Sequence, residues 1–334
     1  MTLIIDALLP IFVTLLLGYL AAWHHDQDTA SSNVLNKMVM TYTLPLSLFA
    51  GTVTMSRDQL AGDLPMAAAM LAGLAIPFAV ALAIARYVFR RGLGESTLQA
   101  LGISFPAVPF IGLPVLGTMF GVKSATLTVA ISGLVTNLLI VPASIILLTL
   151  ATAGIQHAKP VQAATPHNGT PRQCSKSKAR GVQPRTAVIV WSSLKEPVVW
   201  APILAILSVA LGVTLPKLLV TSLQLLGSTT SGVSLFASGI ILRALTPTVS
   251  IPIVVSTVLR LAVVPALAFF VFPLAGVTGK AWSDSVVALA MPCAVMLIIL
   301  SVRYKIAERE SASVLFYSYL FSAVSMTFAV LLTT

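Results

Sequence analysis

Charged residues are scarce in this chain. Only 9% of its 334 residues are Asp, Glu, Lys or Arg, whereas hydrophobic residues make up 57%. Soluble domains carry about 25% charged residues, so a chain with so few charges could not cover its core with a polar surface. The mean hydropathy of +0.98 agrees. The composition excludes an ordinary soluble domain and predicts a polytopic membrane protein.

Residues that build catalytic or metal sites are also few. The two cysteines, Cys174 and Cys293, give neither a disulfide framework nor a metal-ligand spacing. The sequence has no phosphate-binding glycine loop with a lysine, no His-Glu zinc motif and no aspartate pair of an intramembrane protease. We therefore expect no cofactor, no metal ion, no enzymatic activity and no ATP-driven pumping by this chain.

Long apolar runs stand in place of the missing charge. A helix needs about 20 mostly apolar residues to span a bilayer, and about ten segments approach that length. They are residues 3–23, 33–55, 64–89, 97–120, 124–150, 197–214, 221–243, 249–274, 283–303 and 311–333. The runs lack the alternation of barrel strands. We predict an all-α polytopic membrane protein with about ten transmembrane helices.

One long polar stretch, residues 152–186, separates the first five predicted spans from the last five. It is rich in Pro, Gln, Ser, Thr, Lys and Arg and cannot bury a core. The predicted organisation is therefore a first five-helix repeat at 1–151, a cytoplasmic linker with an interfacial segment at 152–196, and a second five-helix repeat at 197–334.

Basic residues are concentrated in the linker and in alternate connections, such as those holding Arg90, Arg91, Arg303 and Lys305. Cytoplasmic connections of membrane proteins are enriched in Lys and Arg. This distribution predicts a multi-pass protein of the cytoplasmic (inner) membrane, with both termini outside. It also accounts for the net charge of +10 without a nucleic-acid partner.

The two groups of spans share landmarks. The sequence SLFA at 47–50 recurs at 234–237, and Pro106 in the fourth span corresponds to Pro292 in the ninth. Since each half has an odd number of spans, the halves would insert in opposite orientations. The sequence therefore predicts two inverted five-helix repeats.

The fourth span is rich in helix breakers, with the sequence SFPAVPFIGLPVLGTMFG from Ser104 to Gly121. Proline removes a backbone donor and breaks a helix, and interruptions at matching places in inverted halves point to a transporter's midplane site. We predict that helices 4 and 9 are broken, cross each other and direct half-helix N-termini at an anion. Ordinary proline kinks are the alternative.

Candidate substrate-binding residues cluster at these interruptions and at their repeat mates. They are Ser104, Pro106, Ala107, Pro109, Gly112, Pro114, Pro292, Cys293, Ala294, Ser47, Ser234, Arg260 and Asn137. Arg260 lies inside the eighth span, where it either serves the substrate or ties down carbonyls at a helix break. Lys37 is expected to extend its charge toward the membrane surface. Asp284 is expected near the outer end of its span.

The same residues resemble the auxin efflux carrier family, in its bacterial malonate-transporter-like members. The segment 107–114 (AVPFIGLP), followed by Phe120 and Gly121, is similar to the family's fourth span, and Pro292 with the later pair at 303–304 is similar to its ninth. The resemblance implies a ten-helix inverted-repeat fold with a scaffold part and a transport part. It also implies secondary transport of small organic anions by alternating access, and a homodimer.

This chain departs from the family at two positions. The family's carboxylate-holding Asn is Ala107 here, and a family Gly is Pro109. The expected function is secondary transport of malonate or a related carboxylate, with the lipid bilayer, a small carboxylate and a coupling proton or sodium ion as partners. Backbone amides or Ser104 would replace the Asn contact. The alternative is a membrane sensor or partner-binding protein on a transporter-like fold, which the lost Asn and the basic linker favour.

Overall fold

The regular structure of this chain is helical. A computed structural model describes residues 2–54, 64–158, 197–213 and 215–333, and the regular elements within these ranges are all helices. The predicted linker from residue 159 to 196 lies outside the described residues. This content confirms the all-α class for the described residues, whereas the division into three regions stays a prediction.

The helices are numbered in chain order. The first half holds α1 (Thr2–Trp23), α2 (Thr29–Met38), α3 (Leu44–Val53), α4 (Leu64–Ala83), α5 (Leu93–Ser104), α6 (Val108–Phe120), α7 (Val122–Val135) and α8 (Val141–Ala158). The second half holds α9 (Pro197–Leu211), α10 (Lys217–Ala244), α11 (Ile251–Val258), α12 (Val264–Leu274), α13 (Gly279–Leu289), α14 (Met296–Tyr304) and α15 (Glu308–Thr333).

Four π-helical turns interrupt the regular hydrogen-bond pattern. They are Val39–Thr43 between α2 and α3, Ile84–Val88 after α4, Thr136–Ile140 between α7 and α8, and Leu259–Val263 between α11 and α12. Such single turns are often found at functional sites. Two of them bear on the site described below, because one follows Lys37 and another contains Arg260.

Several continuous helical segments are long and apolar enough to cross a membrane. They are Pro65–Val88, Lys217–Ala244, Ile251–Leu274 and Glu308–Thr333, with the shorter apolar stretches Phe12–Trp23 and Val141–Thr152 beside them. The fourth and ninth predicted spans are each divided into two short helices, α5 with α6 and α13 with α14. The total of about ten spans stays a prediction.

Helices α1 and α10 pack backbone against backbone. A Cβ atom added at Gly18 would lie 2.0 Å from the Phe236 carbonyl oxygen, and one at Gly239 would lie 2.1 Å from the carbonyl oxygen of Leu15. Only glycine permits this approach, as is common where membrane helices associate. Helix α10 also packs on α2 and α3, and α3 packs on α9. Together α1, α2, α3, α9 and α10 form one packed group.

The two divided spans lie at the centre of the molecule. Every residue from Ser96 to Val108 is buried, and so is every residue from Ser283 to Ser301. Broken helices persist in membranes only where protein or a water-filled cavity surrounds them, and the burial of both segments meets that condition.

Candidate functional site

The backbone leaves the helical conformation at two places that face each other. Between α5 and α6 the non-helical residues are 105–107, and between α13 and α14 they are 290–295. Pro106 and Pro292 lie in these segments and lack the N–H group that a continuous helix would use. We call the two segments together the crossover. The interruptions predicted at both prolines are present.

Backbone hydrogen bonds join the two strands of the crossover. The Ala107 N–H donates to the Pro292 carbonyl at 2.9 Å, and the Ala294 N–H donates to the Phe105 carbonyl at 2.9 Å. This pattern is an antiparallel bridge centred on Pro106 and Cys293. Each broken helix thus supplies the partners that the other has lost, which simple proline kinks would not do.

Arg260 holds the ends of the helices that lead into the crossover. Its Nε and Nη2 atoms donate to the Met291 carbonyl at 3.1 and 2.9 Å, and Nη2 also donates to the Leu289 carbonyl at 2.8 Å. Its Nη1 donates to the Ile103 carbonyl at 3.1 Å. Ile103 and Leu289 belong to the C-terminal ends of α5 and α13, and Met291 lies two residues beyond the end of α13. Arg260 therefore clamps both half-helices through their carbonyls.

The described hydrogen bonds of Arg260 all go to backbone carbonyls and none goes to a carboxylate. Arg260 is fully buried. A helix C-terminus carries a partial charge of roughly −0.5, so two such ends supply roughly the one negative charge that the guanidinium needs. Two roles were considered for Arg260, namely substrate binding and tying down carbonyls. In this conformation its contacts are those of the second role.

Helix α15 supports the crossover from one side. The Cys293 N–H donates to the Ser318 hydroxyl at 3.2 Å, and the Ser325 hydroxyl donates to the Ala290 carbonyl at 3.3 Å. With the bridge contacts, these bonds occupy the amides of Ala107, Cys293 and Ala294. In this conformation the three amides are therefore not free donors for an anion.

The other predicted site residues on α5 and α6 lie outside the crossover segments. The Ser104 hydroxyl donates to the Ala100 carbonyl of its own helix at 2.8 Å. Gly112 is a close-packing position, because an added Cβ would lie 2.8 Å from Cγ2 of Val129. Pro109 and Pro114 belong to α6.

The repeat mates occupy two different environments in the packed group. Ser47 is half-buried on α3, and its Cα would lie 2.7 Å from a Cβ added at Gly227. Ser234 is fully buried on α10, and its hydroxyl has no partner among the described groups. Asn137 belongs to the π turn between α7 and α8. The role of these residues in binding stays a prediction.

A cavity of about 330 Å³ opens between α2 and α14. Its lining comes from Asn33, Asn36, Lys37, Met40 and Thr41 on one side and from Ile299, Val302 and Arg303 on the other. Helix α14 leaves the crossover at Met296, and at 1.5 Å per residue Arg303 lies about 10 Å further along it. The cavity therefore lies on the α14 side of the crossover, and Lys37 and Arg303 are among its lining residues.

Asn36 is the polar group in the cavity wall with unused hydrogen-bonding capacity. Its side chain is 5% exposed, and neither its amide nitrogen nor its amide oxygen has a partner in the described structure. Buried polar groups are nearly always paired. An unpaired amide beside Lys37 and Arg303 is thus suited to a polar ligand that enters the cavity.

Sequence reasoning missed this cavity. Lys37, which was expected to extend its charge toward the membrane surface, also lines the cavity wall together with residues of α14. One signal could have found it, because Asn33 and Lys37 are four residues apart at the start of an apolar span and therefore share a helix face. Arg303 entered as a basic residue of a predicted cytoplasmic connection and as part of a family pattern, and its place opposite Lys37 depends on tertiary packing.

Comparison with known proteins gives a consistent result. Residues 3–330 match the model of a family described as membrane transport protein. The chain is 28% identical over 321 residues to an uncharacterized transporter, YfdV, of Escherichia coli K12, a match that covers 96% of this chain and 94% of that protein. Proteins of the same description in Escherichia coli O157:H7 and Shigella flexneri match equally. Because the family match spans nearly all of its length, this chain belongs to the membrane transport protein family, which includes the auxin efflux carriers.

Proposed function

We propose that this membrane transporter is a secondary carrier of small organic anions, with malonate or a related short carboxylate as substrate. The observation that carries the proposal is the cavity between α2 and α14, which presents Lys37, Arg303 and the unpaired Asn36. Charge-assisted hydrogen bonds from Lys and Arg to carboxylates are among the strongest that proteins make. Ligand pockets measure roughly 300–1,000 Å³, and a cavity of about 330 Å³ suits a small ligand.

Alternating access is supported by the contrast between the two ends of the ninth span. The cavity beside α14 presents polar side chains, among them Lys37 and Arg303, whereas the described cavity that Val286 of α13 lines has no charged side chain. A polar path that reaches a broken helix from one side only is what an alternating-access carrier requires. On the predicted topology, the cavity faces the cytoplasmic side of the inner membrane.

The inverted repeat is supported by the way the halves interlock. If the first and second spans correspond to the sixth and seventh, a contact between spans one and seven predicts an equivalent contact between spans six and two. Both contacts exist, as α1 with α10 and as α3 with α9. The two broken spans, fourth and ninth, are mates in the same scheme.

In this scheme the cavity residues receive the anion and the crossover residues form the frame that moves. Direct contact with the amides of Ala107 or Ala294 would require the two crossover strands to separate, and contact with the amide of Cys293 would require it to leave the Ser318 hydroxyl. The exposed Lys37 can bind without such a change, whereas the buried amide of Asn36 needs a small shift of its side chain to reach a ligand. Homodimer formation and the identity of the coupling ion remain predictions from the family resemblance.

Counterflow of labelled malonate in proteoliposomes tests the proposal. The parent should exchange internal for external label, and Lys37→Ala should raise the half-saturating malonate concentration about tenfold, because loss of one charge-assisted contact costs roughly 1.5 kcal/mol or more. Lys217→Ala is the matched control, since Lys217 is an exposed lysine at the start of α10, outside the cavity lining.

Each outcome separates a carrier from the alternative. Exchange that is equal in Lys37→Ala and Lys217→Ala would show that the cavity is not the binding site. Saturable malonate binding without exchange of label would favour the sensor on a transporter-like fold. Absence of both binding and exchange, with acetate and longer dicarboxylates tested alongside, would overturn the proposed substrate class.

A further inference from the structure

A buried acid lies on the other side of the crossover from the cavity. Asp284 belongs to α13 and is fully buried, which distinguishes it from the other described acidic side chains, all of which retain solvent exposure. Its Oδ2 accepts a hydrogen bond from the Ser124 hydroxyl in the first turn of α7. Its Oδ1 has no partner within the described structure. The proposed binding cavity does not use this group.

Asp284 lies on the same broken span as part of the cavity wall, close to the crossover. It lies five residues before the end of α13 at Leu289, a distance of about 7 Å at 1.5 Å per residue. The cavity residues Ile299 and Arg303 lie beyond the break on α14. Thus one broken span carries an anion cavity on one side of the crossover and a buried carboxyl group on the other.

Few charged groups surround this carboxyl. Helix α13 packs against α6, α7, α12 and α15. On α13 itself, the exposed Lys280 lies one turn away. Helix α7 contributes Lys123, whereas α6 and α12 contain no titratable residue. The buried Tyr319 is the titratable group in the interior part of α15, whose C-terminal end lies beside α13 through the Ser283–Thr333 contact.

The remaining titratable residues of α15 are distant from Asp284. Glu308, Arg309 and Glu310 occupy the N-terminal end of that helix, about 35 Å from the end that contacts α13 at 1.5 Å per residue. Tyr317 is partly exposed. No full positive charge among the described side chains forms an ion pair with Asp284.

Two opposing effects act on the carboxyl group. Burial of an ionised carboxylate with one oxygen unpaired is costly, and such groups tend to be neutralised instead. The Ser124 hydroxyl and the positive end of the α7 dipole favour the ionised form. A small change in the contact between α13 and α7 would therefore decide whether the carboxyl holds a proton.

We propose that Asp284 is the coupling site of the carrier: its carboxyl group holds a proton while the α13–α7 contact is closed and exchanges that proton with water when the contact opens. The coupling role rests on the proposed transport function, whereas proton binding at Asp284 does not. Release breaks one O–H bond of the acid and transfers the proton to water, and uptake from water reverses this step, so charge and atoms balance without a further reactant.

A proton fits this site better than a metal cation. Hard cations such as Ca²⁺ take about six to eight oxygen ligands, but the described surroundings supply only the Ser124 hydroxyl to the carboxyl group. The described residues also contain no cluster of three or more His, Cys, Asp or Glu that could hold a metal. A proton needs a single oxygen.

Infrared difference spectroscopy tests proton binding without any substrate. The carbonyl stretch of a protonated carboxyl group is separate from the bands of a carboxylate. We expect the reconstituted parent to show a protonated-carboxyl band that disappears as the pH is raised and that is missing at every pH from Asp284→Asn. Identical spectra for parent and variant would overturn the proton site, whether or not the protein transports malonate.

Net uptake tests the coupling. With the membrane potential clamped at zero, a gradient of about one pH unit should drive about tenfold accumulation if one proton accompanies each substrate. Asp284→Asn, which keeps a neutral hydrogen-bonding side chain, should equilibrate label without accumulation and still perform counterflow. Ser285→Ala is the matched control, because Ser285 is buried on the same helix and bonds only to the Ala281 carbonyl.

The two measurements distinguish the failures. Accumulation by Asp284→Asn equal to that of the parent would overturn the coupling role. Accumulation that follows a sodium gradient but not a pH gradient would also overturn the coupling role. If the parent moves no malonate, the proposed function fails and the infrared result alone decides whether Asp284 binds a proton.

Discussion

The crossover and the cavity are adjacent regions that use similar chemistry in opposite ways. In the crossover, Arg260 donates its described hydrogen bonds to carbonyls, and the neighbouring amide N–H groups donate to backbone carbonyls or to the Ser318 hydroxyl. In the cavity, Asn36 has no partner and Lys37 faces the opening. A saturated polar network holds a fixed geometry, whereas an unsaturated one can accept a ligand. The comparison distinguishes structural cations from binding cations by their partners.

The largest effect is expected from Arg260→Ala. The substitution removes the shared donor of the carbonyls of Ile103, Leu289 and Met291, and removing one member of a buried charged network costs about 3–5 kcal/mol. We expect a large fall in the thermal unfolding midpoint of the purified protein. Arg260→Lys should give an intermediate fall, since it keeps the charge but loses the planar fork.

Lys217→Ala serves as the control for Arg260, because that exposed side chain is outside both regions. Normal stability of Arg260→Ala combined with weaker anion binding would reverse the comparison, since it would make Arg260 a binding cation. Its four carbonyl contacts would then be incidental.

A smaller effect of opposite sign is expected from Asn36→Leu. An unpaired buried amide costs about 1–3 kcal/mol, so replacing it with an apolar side chain of similar size should leave stability unchanged or raise it. Anion affinity should fall, because a ligand contact is lost. Thermal unfolding with and without malonate measures both quantities, and Gln224→Leu, at an exposed position of α10 outside the cavity lining, controls for the added apolar surface.

Loss of stability together with full retention of the malonate-induced shift would contradict this prediction. It would mean that Asn36 is satisfied by ordered water and belongs to the structural network. The structural network would then include Asn36 on α2, and the cavity would lose this binding group.

The smallest effect concerns Asp28, which caps α2, the helix that carries Asn36 and Lys37. Its Oδ1 accepts from the Ser31 N–H at 2.8 Å and from the Ser31 hydroxyl at 2.9 Å. The backbone hydrogen bond from Ser31, then its side-chain hydrogen bond, lowers the pKa of Asp28 below its usual value. The folded-state pKa is thus below the unfolded one, so the capping contribution is complete above about pH 4.

That contribution is lost as the pH falls through the lowered folded-state pKa. Asn is a comparable N-cap that does not titrate in this range, so Asp28→Asn should lose less stability than the parent on acidification. The readout is the difference between the two unfolding midpoints as a function of pH, which cancels the other carboxylates. A difference that is constant from neutral to strongly acidic pH would show that the cap is not formed.

The sequence was sufficient to predict the features that depend on local chemistry. Pro106 and Pro292 stand in apolar segments, and proline breaks helices wherever it occurs. The same reasoning narrowed Arg260 to two roles, but could not choose between them, because its acceptors lie 29 to 157 residues away. That choice depends on tertiary packing.

The cavity and Asp284 escaped sequence analysis for a related reason. Lys37 and Arg303 are near the ends of separate predicted spans, and nothing local shows that they face each other. Asp284 was expected near an outer end, where a carboxylate is ordinarily solvated, but Ser124 and the surrounding helices bury it. Solvation of a polar residue near a span end depends on which helices pack there.

The hydrogen bonds of Arg260 and of the crossover join parts of the chain that are synthesised at different times. The ribosome delivers Ile103 and Phe105 long before Arg260, Pro292 and Ala294, yet those later residues supply the hydrogen-bond partners of the first break. Until the ninth span is synthesised, the fourth span has open backbone groups in a lipid environment, where each costs several kcal/mol. A chain that stops before residue 294 therefore yields an incomplete first half and a substrate for membrane quality control, not a stable half-carrier.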